Sequence, residues 1–229
     1  MALQVASYRF NVDKYCRLAE LGILSPGEHV ELIGGRIWEM HPPAPRHFTA
    51  QEYNRMVQAG ILREDEHVEL LEGEIVEMSP IGKRHAGVVN RLTALLQHEL
   101  YGRAVVAVQN PLSISFSSQP EPDIALLRFR PDYYTEELPS AADTLLVVEV
   151  ADTSLLSDRE IKIPLYASAG IPEVWLVNLV EELIQVFSGL QGGVYEEYRQ
   201  VRPGEFLAVP AFDGVQILVS DVLGSESLP

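Results

Sequence analysis

Hydrophobic and polar residues follow a pattern that occurs twice in the first third of the chain. Copy one, residues 10–43, carries an apolar helical stripe and then two short strand patterns separated by glycines. Copy two, residues 48–81, repeats this order at a constant offset of 38 with no gap, and about half of the paired positions are identical. We therefore expect a duplicated helix–β-hairpin module, with strands at residues 29–33, 36–40, 67–71 and 74–78.

Beyond residue 82 the pattern becomes one long helical stripe followed by apolar runs of strand length. The run 144–151 is apolar on both sides of Glu149, which is typical of a buried central strand. Helices and strands in this order predict a layered α/β fold. The helix is predicted at residues 85–101, and the strands at 103–108, 112–116, 123–128, 144–151, 174–180, 183–187 and 194–198, with one or two more in 206–222.

A second helix is predicted after the central strand. Ser157, Asp158, Arg159 and Glu160 have the order of a capping box, so we expect the helix to begin there. Pro164 follows about two turns later and should kink or restart it. Within this helix Asp158, Lys162 and Tyr166 are spaced four residues apart and should line one stripe.

Two acidic residues lie at the ends of consecutive predicted strands. If these strands pair, Asp123 and Glu149 can point to the same face, and such a carboxylate pair suits Mg²⁺ or Mn²⁺, with the backbone carbonyl of Val150 as a further ligand. A bound cation of this kind polarises a phosphoryl oxygen and acidifies water. The alternatives are a Glu149 carboxylate paired with an arginine, and an Asp123 that belongs to a Pro-Asp turn.

Lys162 and His85 are the other candidate site residues. Lys162 beside the two acids would stabilise an attacking hydroxide or the charge on a phosphorane, whereas without them it is an ordinary surface partner of Asp158. His85 follows Lys83 and Arg84 at the start of a helix, where an anion binds well. We expect His85 to be a proton shuttle or a phosphate contact, and Lys83 and Arg84 to be solvated.

Charge and composition limit the partners. The formal net charge is −16, so the whole chain lacks the basic footprint of a protein that binds duplex DNA constitutively. Binding of nucleic acid would therefore have to be local, metal-assisted or weak. No apolar run is long enough to span a bilayer, the first residues show no signal pattern, and the one cysteine, Cys16, suits a reducing compartment. We therefore expect a cytoplasmic protein with no membrane contact.

Several motifs of this chain occur together in a known pattern. They are Glu69–Pro80, His85, Glu121–Ile124, Val148–Val150, Ser154, Asp158, Lys162 and Tyr166–Trp175. Together they resemble the Uma-two family of restriction endonuclease-like proteins, within the PD-(D/E)xK nuclease superfamily. The resemblance covers about residues 49–222, and it implies a restriction-endonuclease-like core of a mixed sheet flanked by helices. It also implies Mg²⁺-dependent phosphodiester hydrolysis, with metal binding by Asp123 and Glu149 and the lysine role at Lys162.

The chain departs from the superfamily pattern in two places. The superfamily has its lysine two residues after the acid, where this chain has Ala151, so the lysine is expected from the following helix. Pro164 is unusual in that helix. Copy one has no counterpart in the pattern, so residues 1–47 are predicted to be an extra module and residues 48–229 the endonuclease-like domain.

The sequence thus predicts a metal-dependent endonuclease that acts on nucleic acid, with DNA favoured, as a homodimer. Two other hypotheses stay open. The first is a nuclease-fold binding or regulatory protein with weak or no turnover, which the acidic charge favours. The second is a protein-interaction module that docks through the duplicated helix–hairpin.

Overall fold

The chain divides into two compact units. A computed structural model describes residues 6–152 and 154–224, apart from the side chain of Glu64. The first unit comprises the residues up to Met78 together with Ser115–Pro120, and the second comprises Ser79–Ile114 and the chain from Glu121 onward.

The first unit contains both helix–hairpin copies. In copy one, α1 is followed by the hairpin β1–β2, and Pro43–Pro45 adds β3 to that hairpin. In copy two, α2 is followed by the hairpin β4–β5. Asn11 caps α1 by accepting the backbone N–H of Lys14, and Thr49 caps α2 within a capping box. The bounds are α1 Val12–Glu20, β1 Val30–Ile33, β2 Arg36–Met40, β3 Pro43–Pro45, α2 Ala50–Gln58, β4 Val68–Leu71 and β5 Glu74–Glu77.

A single hydrophobic core joins the two copies. It takes Leu18 and Ile37 from copy one and Met56 and Leu70 from copy two. Because Leu18 and Met56 are fully buried, the apolar stripe of each helix faces this common core rather than a core of its own. A helix followed by a hairpin is present in residues 10–43 and again in residues 48–81.

The second unit is built on a six-stranded mixed sheet in the order β11-β10-β9-β8-β7-β6. Its neighbouring strands are antiparallel except for β8 and β9, which are parallel. The long helix α3 precedes the sheet, and a helical segment connects β8 to β9. The bounds are α3 Lys83–Leu100, β6 Ala104–Val108, β7 Ile124–Arg128, β8 Thr144–Ala151, α4 Leu155–Ser157, α5 Ile163–Ser168, β9 Val174–Asn178, β10 Leu183–Gln191, β11 Val194–Val201, β12 Phe206–Ala208, β13 Gln216–Leu218 and α6 Val219–Leu223.

Strand β8 is the buried centre of this unit. Every one of its residues is buried, as the apolar run 144–151 predicted. One core cluster contains Val148 and Val150 of β8, Trp175 of β9, and Leu92 and Leu96 of α3. The helix therefore covers the sheet through its apolar stripe.

The predicted mixed sheet flanked by helices is confirmed, but two sequence predictions are wrong. Residues 112–116 form no named strand, because Ser113 and Ser115 make only isolated bridges, to Ser140 and Ser118. The helix after β8 begins at Leu155, not after Ser157. Among the described helices, none combines the length and apolar character that crossing a membrane requires.

The shared core of the first unit leads to a test with matched variants of one helix. Leu18→Ala removes a fully buried side chain of α1, so it should lower the free energy of unfolding by about 3 kcal/mol. Val12→Ala changes a residue of the same helix that is 66% exposed and should have little effect. Urea denaturation would measure both, and equal effects of the two variants would contradict a core common to both copies.

Candidate active site

The end of the β7–β8 ladder positions Asp123. Ile124 pairs with Val148, so Asp123 lies opposite Glu149, one residue beyond the named strand. The backbone N–H of Val150 donates to Asp123 Oδ2 at 2.8 Å. The Asp123 carboxylate thus accepts the N–H of Val150 in place of a carbonyl from a neighbouring strand. Asp123 and Glu149 lie side by side at the end of the β7–β8 ladder, as pairing of their strands predicted.

His85 and Gln109 also contact the Asp123 carboxylate. His85 Nε2 is 3.0 Å from Oδ2, and Gln109 Nε2 donates to Oδ1 at 3.4 Å. The hydrogen bond to Asp123 raises the pKa of His85 although burial opposes this. Nδ1 of His85 is buried and has no hydrogen-bond partner among the described residues. The imidazole on the first turn of α3 is thus a direct neighbour of the predicted metal ligand.

Glu149 is a buried carboxylate inside an apolar strand. It is 3% exposed, and its Oε1 accepts a hydrogen bond of 2.6 Å from the hydroxyl of Tyr166. Lys162 Nζ lies 3.3 Å from the same oxygen. A buried carboxylate is costly unless it is paired and hydrogen-bonded, and Lys162 and Tyr166 meet that requirement here.

A π-helical turn brings Lys162 and Tyr166 to Glu149. Asp158–Lys162 forms this turn between α4 and α5, and the N–H of Ile163 donates to the carbonyl of Asp158, five residues earlier. Pro164 follows in the first turn of α5, where it has no N–H to donate. The helix is therefore interrupted next to Pro164, as its position predicted, and such π-turns are frequent at functional sites.

The predicted capping box does not cap the helix. Ser157 lies within the helical segment, and its hydroxyl donates to the carbonyl of Ser154 at 2.7 Å. Ser154 precedes α4, and its hydroxyl donates to Asp158 Oδ2 at 2.6 Å. Asp158 is 5% exposed, so its carboxylate is buried and does not lie at the surface.

Ala151 occupies the position where the superfamily has its lysine. Ala151 lies two residues after Glu149 in β8, so both side chains point to the same face, and Ala151 is fully buried. The ammonium group beside Glu149 comes instead from Lys162, which is 8% exposed. The lysine beside Glu149 therefore comes from the helical segment and not from strand β8.

The donor set suits a hard cation held by few protein ligands. Asp123 and Glu149 offer carboxylate oxygens on adjoining strands, and Val150 follows Glu149 with its backbone carbonyl as a further oxygen. Within the described residues no group of three or more histidine, cysteine or acidic side chains could hold a metal ion. Two carboxylates are sufficient for Mg²⁺, which keeps most of its waters or takes phosphate oxygens. The residues present therefore fit such an ion.

Gln109 gave no sequence signal for the contacts that it makes. Gln109 has a φ of 51°, in the left-handed region that few non-glycine residues adopt. Its backbone N–H donates to the carbonyl of Asp123 at 3.2 Å, so both its backbone and its side chain face that residue. No pattern of residue types marks this conformation.

These features define a restriction-endonuclease-like class of protein. They are a mixed sheet, two acids at the ends of neighbouring strands and a lysine beside them. The chain belongs to the Uma2 family, described as "Putative restriction endonuclease", whose model matches residues 50–220. Nucleases of this class generally use divalent metals.

A solved structure supports the fold. It is the crystal structure of a nuclease from Anabaena variabilis, described as "putative" and as belonging to DUF820, and the TM-score is 0.60. The two proteins are 15% identical over 77% of this chain and 98% of the other. At that identity the likeness shows a common fold. No curated protein matches the chain.

The contact between Lys162 and Glu149 leads to a stability test. Lys162→Met removes a cation beside a buried carboxylate and should cost about 3 kcal/mol of unfolding free energy. Arg84→Met breaks the exposed pair with Glu182 and should change stability little. Adding Glu149→Gln to Lys162→Met should recover part of the loss, as a double-mutant cycle in urea would measure. A Lys162→Met effect as small as that of Arg84→Met would mean that the two charges are not coupled.

Proposed function

We propose that the protein is a metal-dependent endonuclease that hydrolyses phosphodiester bonds of nucleic acid, with DNA as the first substrate to test. The observation that carries the proposal is the buried Glu149 in contact with Lys162, with Asp123 beside it at the end of the neighbouring strand. Two acids at the end of neighbouring strands, with a lysine beside them, are a suitable set for phosphodiester cleavage. Membership of the Uma2 family supports this assignment.

Asp123, Glu149 and the carbonyl of Val150 would hold the cation, Mg²⁺ or Mn²⁺. When bound, the cation would polarise the phosphate and lower the pKa of an attacking water. The hydrogen bonds from Val150, His85 and Gln109 fix the Asp123 carboxylate, and the Tyr166 hydroxyl fixes that of Glu149. Carboxylates that are already oriented lose little freedom when they bind.

Lys162 and His85 would act on charge and protons. The Lys162 ammonium is held beside Glu149, where it would attract the anionic phosphate and stabilise charge that develops on it. His85 contacts Asp123 through Nε2, so it would orient that carboxylate. From this position His85 would also contact a phosphate oxygen or return a proton to the leaving group.

The net charge of −16 favours a second candidate function. A chain this acidic repels long nucleic acids, so a binding or regulatory protein that keeps the acid pair but turns over slowly is the alternative. Metal binding is expected in both cases, and cleavage only in the first. We further propose that the enzyme acts in the cytoplasm as a homodimer that presents one site to each strand.

Cleavage with matched carboxamide variants tests the proposal. Supercoiled plasmid, single-stranded DNA and RNA should be incubated with Mg²⁺, Mn²⁺ or a chelator, and cleavage should require the cation. Asp123→Asn and Glu149→Gln each remove a ligand charge while keeping the shape, so the rate should fall at least about 100-fold. Arg84→Met, at an exposed ion pair, should keep the wild-type rate.

Metal binding without cleavage would separate the two candidate functions. Titration calorimetry with Mn²⁺ should show heat for the wild type and none for Glu149→Gln. Binding with no cleavage of any of the three substrates would leave the regulatory alternative. Absence of both Mn²⁺ binding and cleavage would refute the proposal that the protein is a metal-dependent endonuclease.

The contact between His85 and Asp123 predicts an effect on affinity for the cation. His85→Ala removes a hydrogen-bonding neighbour of Asp123 and should weaken Mn²⁺ binding about 10- to 100-fold. His98→Ala, at an exposed position of the same helix, is the control. Unchanged affinity in His85→Ala, together with slower cleavage, would mean that His85 acts on the substrate and does not orient Asp123.

A further inference from the structure

The two helix–hairpin copies are related by reciprocal backbone pairing. The residues that lead into each copy pair with the hairpin of the other copy. The N–H of Tyr8 donates to the carbonyl of Ile75 at 2.8 Å, and the N–H of Arg46, 38 residues after Tyr8, donates to the carbonyl of Ile37 at 2.9 Å. Ile37 and Ile75 are also 38 residues apart, so the two hydrogen bonds join equivalent positions in opposite directions.

Further strand pairs follow the same rule. Ser7 bridges Val76, and Pro45 pairs with Trp38 in the same antiparallel sense. Each of these residues is the 38-residue counterpart of one in the other pair. The leading segment of each copy is thus an added strand on the hairpin of the other copy, which is an exchange of strands within one chain.

Equivalent residues also contact each other directly. The rings of Phe10 and Phe48, which are counterparts, lie 5.9 Å apart between centroids. Arg36 and Glu74 are counterparts too, and their charged groups are 3.3 Å apart. A residue that touches its own counterpart lies on a two-fold axis, as at the centre of a symmetric dimer interface. The first unit therefore has the geometry of a two-fold pair.

The charges across this pair are complementary. Lys14 of copy one contacts Glu66 of copy two at 2.6 Å. At the counterpart positions Glu28 of copy one and Glu52 of copy two both contact Arg46, at 3.3 Å and 2.7 Å. If the copy-two modules of two chains formed such a pair, their Glu74 side chains would face each other on the two-fold axis. Copy one offers Arg36 there instead.

We propose that copy one is a built-in partner for copy two. Copy two has a surface that binds a second helix–hairpin, and copy one of the same chain fills it. The charges of copy one make that surface prefer copy one to the copy two of another chain. The family match, residues 50–220, takes in the helix and hairpin of copy two and not copy one. The partner is therefore supplied by the duplication. It follows that this surface is closed to other molecules unless copies are exchanged between chains.

Two full-length variants that rescue each other test this proposal. The first carries Lys14→Glu and Arg36→Glu, and its copy one repels its own copy two. The second carries Glu66→Lys and Glu74→Arg, and its copy two repels its own copy one. Each alone should lose about 4–8 °C of thermal midpoint.

An exchanged pair of the two variants has matched charges at both of its interfaces. One interface joins the substituted copy one of the first variant to the substituted copy two of the second. The acidic side chains introduced at positions 14 and 36 there meet the basic side chains introduced at positions 66 and 74. The other interface joins two wild-type copies, so neither interface retains a repulsive contact.

The measurement is rescue on mixing. The variants are mixed at about 100 μM, within about tenfold of the effective concentration of a short linker, and are passed through mild urea to allow exchange. The mixture should recover most of the lost midpoint, and an affinity-tagged variant should retain its untagged partner more than tagged wild type retains untagged wild type. A chain that carries all four substitutions is the matched control and should be close to wild type alone.

Other outcomes would overturn the proposal. A mixture with the midpoints of its separate components, and no added retention, would show that copy two does not accept copy one from another chain. Equal rescue when one variant is mixed with wild type would show that the charges do not select the partner. If either variant is unfolded alone, recovery of its far-UV circular dichroism on mixing is the same supporting result.

Discussion

The carboxylate of Glu149 is buried in the central strand, and much of the second unit is arranged around it. Taking a carboxylate out of water costs several kcal/mol even after relaxation. Lys162 and Tyr166 offset this cost from the helical segment between β8 and β9. Because both reach the same oxygen, the segment needs a defined register on the sheet, and the π-turn before Pro164 supplies it. A charge that would be a defect in a purely structural strand is thus accommodated by specific partners.

Asp123 is held in a different way. It lies where the β7–β8 ladder ends, so its carboxylate accepts a backbone N–H that no strand residue takes. His85 and Gln109 complete its surroundings from α3 and from the end of β6. Asp123 is therefore held by a backbone N–H of the sheet together with two side chains, whereas Glu149 is held by side chains of one helical segment. This arrangement lets two like charges lie side by side, because each has its own donors.

The sequence predicted the parts of the site that depend on hydrophobic pattern. The run 144–151 is continuous and apolar, so β8 and the burial of Glu149 followed directly. Lys162 was a candidate from its place on the helical stripe and from the resemblance. Its contact with Glu149 depends on the π-turn, for which residue types give no rule. Gln109 was missed because a left-handed backbone at glutamine has no sequence signature. Residues 112–116 alternate like a strand, yet neighbours at Ser113 and Ser115 provide only single bridges.

The duplication bears on how a nuclease of this kind would meet a duplex. A symmetric dimer built through helix–hairpin modules would carry two second units and therefore two sites. In this chain the module already has its counterpart, so two copies of the module accompany one acid pair. A homodimer would consequently need either copies exchanged between chains or another surface. Without one, the proposed enzyme would hydrolyse one strand at each encounter, and the acidic charge would favour release between encounters.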